Sequence, residues 1–94
     1  MKIELEHLEV FMTLDKNQCQ VVNARKQIAN ITYSQGGGLA LAGHALAVKM
    51  WNGNDETEYT DDEVKIIKEL VERATAPCFI DAVNNAISNA KAVN

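Results

Sequence analysis

The chain has 94 residues, 47% of them hydrophobic but only five aromatic, and carries a formal net charge of −4 with a pI near 5.0. One domain spanning 1–94 with a mostly aliphatic core is the expectation at this size. The acidic balance argues against nucleic-acid binding, and no apolar run approaches the roughly 18 residues of a membrane span.

Two cysteines, Cys19 and Cys78, are too few for a disulfide framework. Each has apolar neighbours in sequence, so both are expected to be buried free thiols. The opening MKIELEHLEV lacks the basic-then-apolar order of a signal peptide, which favours a cytoplasmic protein.

Residues 1–22 read as a β-hairpin. Ile3 and Leu5 alternate with charges, and Leu8, Val10, Met12 and Leu14 alternate again after a phase change near His7. The first strand is expected to reach about Leu14. Asp15-Lys16-Asn17 turns the chain, and Cys19, Val21 and Val22 return as the second arm. A helix from Glu4 to Leu14 is the alternative, because Leu5, Leu8, Phe11 and Met12 share a helical face. A lone hairpin is marginal in water, so it must lean on helices or pair with another copy.

Asn23 suits the N-cap of a helix over 23–35, with Ala24, Ile28 and Ile31 inward and Arg25 and Lys26 outward. Gly36-Gly37-Gly38 ends it and frees the chain to reverse. A helix over 38–52 follows. Its sequence from Leu39 to Trp51 is apolar on nearly all sides, which predicts a central helix. Gly43 marks a close crossing within it, and Asn52-Gly53 stops it.

After a polar, acidic linker, Thr60 and Glu63 form a capping box for a helix over 60–75. Asp61, Asp62 and Glu63 complement the positive end of its dipole. Val64, Ile67, Val71 and Ala74, widened by Ile66 and Leu70, give one buried face. Pro77 fits the first position of a last helix, 77–90, where its missing N–H costs nothing. Phe79, Ile80, Val83, Ala86, Ile87 and Ala90 form its apolar stripe, and the tail Lys91-Ala92-Val93-Asn94 is expected to fray. The fold class is α-rich α+β: an N-terminal β-hairpin followed by about four helices, ending in a C-terminal helical hairpin.

The chemistry-bearing residues are sparse. The glycine run lacks the lysine and hydroxyl residue of a phosphate-binding loop, so a hinge is the simpler account. His44 is expected to pack in the core and His7 to lie on the surface. Two histidines and two cysteines without paired spacing predict no metal site. The carboxylates from Asp55 to Glu63 lack the order of a calcium loop. No nucleophile has a base beside it in sequence, so neither an enzyme nor a cofactor is expected. The one candidate surface is protein-binding: Trp51, Asp55, Glu56, Glu58 and Tyr59, aromatic groups flanking negative charge. Against it stands a Trp51 that simply closes the core.

The segments LAGHALAVKMW, YTDDEVKIIKELVERA and APCFIDAVNNAI resemble a group of small proteins encoded by tailed bacteriophages and prophages. The resemblance covers residues 39–88, with Leu46-Ala47, Glu63, Ile67-Lys68 and Pro77 as matching positions. Gly36-Gly37-Gly38 and the Asp15-Lys16 turn depart from it. It implies a phage or prophage setting in the host cytoplasm and no catalytic residues. Two functions follow as expectations, with binding of a small ligand beside the glycine run and His44 ranked last. One is a noncatalytic factor that binds and modulates a host protein through an acidic face. The other is a homo-oligomeric assembly or structural accessory protein, suggested by open strand edges and the broadly apolar helix.

Overall fold

The computed structural model of the chain describes residues 1–35 and 40–93. Two antiparallel strands, β1 (Leu8–Phe11) and β2 (Cys19–Val22), precede four helices: α1 (Ala24–Gln35), α2 (Ala40–Asn52), α3 (Asp61–Ala74) and α4 (Pro77–Val93). This is the expected α-rich α+β architecture, and residues 4–14 are not helical. The triple-glycine hinge, residues 38 and 39 of the expected second helix, and Asn94 lie outside the described residues.

The N-terminal segment obeys its hydrophobic phase. Ile3 and Leu5 are buried, a turn at Glu6-His7 shifts the register, and Leu8 and Val10 are buried in β1. Two residues per repeat send successive side chains to opposite faces, so the turn is needed to keep both pairs on the core side. Leu8 pairs with Val22 and Phe11 with Cys19. The strand stops at Phe11, short of Leu14, because the Asp15 carboxylate gathers the Thr13 hydroxyl and the Asn17 backbone and side-chain amides into a compact turn. Lys16 there takes a left-handed φ of 62°, a conformation that costs a non-glycine residue energy and marks the reversal. Met12 and Leu14 consequently stand in solvent, and so does Cys19, which corrects its expected burial; Cys78 is half-buried.

The first three residues run beside the linker between α2 and α3. Lys2 bridges Glu58 in antiparallel fashion, and the Tyr59 N–H donates to the Met1 carbonyl at 2.8 Å. This pairing runs alongside Tyr59, which belongs to the core at 3% exposure.

Two expectations for the helices are corrected. Arg25 faces inward and is 4% exposed. Besides Ala24 and Ile28, α1 has a second buried line, Arg25, Ala29 and Thr32, at the i, i+4, i+7 spacing of one helical face. Thr32 satisfies its hydroxyl by donating to the Ile28 carbonyl at 2.8 Å, while Lys26 is exposed as expected.

Helix α2 is not central. It packs chiefly on α1, burying Gly43, Leu46, Ala47 and Met50 while His44, Ala45, Val48 and Trp51 remain exposed. Uniform apolarity concealed which face is inward, because alanine and valine are tolerated on either side. Gly53 ends α2 without a left-handed φ. It is needed for clearance: a Cβ there would lie 2.5 Å from the Thr57 Oγ1 and 2.9 Å from the Lys49 carbonyl oxygen.

The C-terminal hairpin follows its sequence signals, except that α4 continues through Val93 where a helix ending at 90 and a frayed tail were expected. Thr60 caps α3 with both halves of the capping box formed. Val64, Ile67, Leu70 and Val71 are buried, opposite Phe79, Val83, Ala86 and Ile87 of α4 in one core. No helix among the described residues is long and apolar enough to cross a membrane.

Candidate functional site

Between the hairpin and α4 lies a groove of ≈ 1300 Å³. Its strand wall carries Leu8, Phe11, Met12 and Leu14, and its helical wall carries Pro77, Cys78, Ala82, Ala86 and Ala90. The geometry follows from side-chain size. Alanines at 82, 86 and 90 bring the backbone of α4 close to the groove floor. The turn at Asp15 lifts Met12 and Leu14 out of the sheet, so apolar groups stand exposed along one rim. From Pro77 to Ala90 the helix offers a wall about 20 Å long at 1.5 Å per residue.

The charged lining is mostly acidic. Glu4, Glu9, Asp55, Glu56 and Asp81 border the groove, against Lys2 and Lys16. Lys2 is partly neutralised by Glu56 at 3.2 Å, and Lys16 lies over the Phe11 ring, 5.6 Å from its centroid. The field at the mouth is therefore negative above an apolar floor, a combination that favours a positively charged, amphipathic visitor.

The five residues expected to bind protein do not form one surface. Asp55 and Glu56 reach the groove. Asp55 is half-buried, and its Oδ1 accepts the backbone N–H groups of Leu5 at 3.0 Å and Glu6 at 3.1 Å. Glu58 accepts from the Met1 ammonium at 2.9 Å, and that bond is the main reason its carboxyl lies below the usual glutamate range. Trp51 is 47% exposed but stands outside the groove, beneath Lys26 Nζ at 4.9 Å from the ring centroid. Tyr59 belongs to the core, so it contributes nothing to an exposed aromatic patch. The acidic linker is thus bound to the N-terminal segment rather than merely solvated.

His44 lies on the surface instead of in the core and meets Tyr33 edge to face at 6.0 Å between centroids. His7 is exposed as expected. Sequence reasoning did not anticipate its company: Glu6, His7 and Asp55 place one ligand atom each within 4.8 Å of one another. Glu6 and His7 are adjacent in a turn, whereas Asp55 arrives from the α2–α3 linker, so no local spacing announces the trio. The alternation that breaks at His7 is the one signal that a turn, and so two neighbouring side chains on one side, would occur there.

No known protein family, curated protein or solved structure matches this chain.

Proposed function

We propose that the protein is a noncatalytic binding module that takes a basic, amphipathic helical segment of another protein into the groove between the hairpin and α4. In the phage or prophage setting that the sequence resemblance implies, the partner is a host protein in the cytoplasm whose activity is modulated by being held. The acid-rimmed apolar groove carries this reading. Exposed Phe11 and Met12 supply the apolar anchors and the carboxylates supply orientation, as in other helix-in-groove recognition.

A pull-down from host lysate with three versions of the chain tests it. The triple variant Glu9→Lys, Met12→Ser, Asp81→Lys changes only exposed groove residues, and Glu72→Lys alters an exposed position on α3 outside the groove. The original chain and Glu72→Lys should each retain one stoichiometric partner, and the triple variant should lose it. Equal retention by the triple variant rules the groove out.

Recovery of only the chain itself favours a homo-oligomeric accessory protein. The observation behind that second reading is β2. Among the described residues it pairs with β1 on one side only, and Cys19, Gln20 and Val21 are exposed and uncharged. Such an edge is open to strand addition from another copy. Light scattering on the purified chain distinguishes a monomer from a closed assembly.

A further inference from the structure

We propose that Glu6, His7 and Asp55 form a binding site for one divalent transition-metal ion, of the zinc class. The ligand atoms lie within 4.8 Å of one another. An ion at the centre of a triangle with sides of that length is no more than about 2.8 Å from each corner, so a closure of under about 1 Å reaches zinc–nitrogen and zinc–oxygen bond lengths. One imidazole and two carboxylates are a donor set suited to zinc and its first-row neighbours, and less suited to calcium or magnesium, which take oxygen ligands alone.

Both carboxylates are held by groups other than the trio's own ligand atoms. Asp55 Oδ1 is fixed by the Leu5 and Glu6 N–H groups, leaving Oδ2 without a hydrogen bond among the described residues. Glu6 Oε1 accepts from Arg25 Nη2 at 2.9 Å, leaving Oε2 similarly free. Arg25 is itself anchored on the Met50 and Trp51 carbonyls at the end of α2, so its charge is shared with that helix terminus rather than directed wholly at the trio. Outer partners of this kind orient metal-binding groups before the ion arrives. His7 has no such restraint: it is exposed and makes no hydrogen bond or ion pair among the described residues, so it can turn toward an ion without breaking a contact.

A bound ion would tie the Glu6-His7 turn to the α2–α3 linker, reinforcing the junction that Asp55 already makes. Since His7 and Asp55 both line the groove, coordination positions not filled by protein would open onto it and hold water. This site does not depend on what occupies the groove.

The test is calorimetric titration of the full chain, without any histidine tag, with zinc chloride in a buffer that does not bind metal. Saturable binding of one zinc per chain is expected. His7→Ala should weaken it at least about tenfold, the lower limit for losing even an outer partner of a metal site. Asp55→Asn is a second variant: its amide oxygen can still accept from Leu5 and Glu6 while the negative charge is gone. Zinc should raise the melting temperature of the original chain and shift that of His7→Ala much less. Circular dichroism checks that both variants fold. Absence of saturable binding, or binding and thermal shift unchanged in folded His7→Ala, overturns the proposal and, in the latter case, assigns the ion elsewhere.

Discussion

Arg25 and Glu6 meet with Nη2 2.9 Å from Oε1, the guanidinium side chain 5% exposed and the carboxylate 32%. The same guanidinium donates to the carbonyls of Met50 and Trp51, so one side chain joins the N-terminal turn, the start of α1 and the end of α2. Removing a partner from such a cluster strands the others in a poorly solvated place. Arg25→Ala should cost about 2–3 kcal/mol, less than a wholly buried pair because Glu6 still reaches water. Arg25→Lys should recover only part of the loss, since an ammonium cannot reproduce the planar fork. Urea unfolding midpoints decide it. A loss within experimental error for Arg25→Ala would show that the three acceptors are satisfied by solvent.

The α3 cap makes a narrower prediction. The Thr60 hydroxyl accepts from the Glu63 N–H at 3.2 Å while Glu63 accepts from the Thr60 N–H at 2.9 Å. Thr60→Ala should lower stability by about 1 kcal/mol, and Thr60→Ser should restore most of it because the accepting oxygen returns. Thermal melts of the pair separate capping from a general effect of trimming the side chain, which would leave serine as poor as alanine.

Acid should weaken the fold through this same cap. Burial raises the Glu63 carboxyl, but the hydrogen bonds from Lys49 and the Thr60 N–H outweigh it and leave the group below the ordinary value of 4.5. Glu58 is lowered by the Met1 ammonium, and Asp15 by its bond from the Thr13 hydroxyl. A depressed carboxyl binds fewer protons when folded than when unfolded. Its stabilisation is therefore complete above the unfolded-state value and disappears as pH falls through the folded one. Urea midpoints taken from neutral pH down to about pH 3 should decline on the acid side, and Glu63→Gln should make that decline shallower. An identical acid profile in Glu63→Gln would place the pH dependence on other groups.

The C-terminal hairpin was legible because its signals are local. A hydroxyl three residues before a glutamate, a proline at a helix start and a stripe at helical spacing each act within a few residues. The alternation of Leu8 and Val10 in the first strand was legible for the same reason, though the end of the strand at Phe11 was not. What escaped were relations between distant segments. Arg25 is a charge on a face otherwise made of Ala29 and Thr32, so outward placement was the natural assumption. Its burial depends on Glu6 and on carbonyls at Met50 and Trp51, none of them near in sequence. Asp55 looks like part of a solvated acidic run, but two backbone donors some fifty residues upstream capture it. Tyr59 sits in the same acidic run and is buried because the first three residues lie alongside it. The groove has the same origin: neither β1 nor the alanines of α4 define it alone.

Tyr59 yields the remaining prediction, one of increased stability. Its ring is enclosed in the core with Lys49 Nζ 5.2 Å from the centroid, yet its hydroxyl has no hydrogen-bond partner among the described residues. A buried donor left unpaired opposes folding, so Tyr59→Phe should raise stability by about 1 kcal/mol while keeping the ring's packing and its contact with Lys49. Burial also raises the hydroxyl's pKa above the ordinary 10.0, with Arg25 acting in the opposite direction. The neutral form is therefore favoured in the folded chain. Stabilisation from this group is complete below the unfolded-state value and is lost as pH rises through the folded one. Tyr59→Phe should remove that alkaline component along with the unpaired hydroxyl. Urea midpoints of the two chains at neutral and alkaline pH test both parts. A phenylalanine chain less stable than the original at neutral pH would show that the hydroxyl has a partner, with ordered water in the core the first place to look.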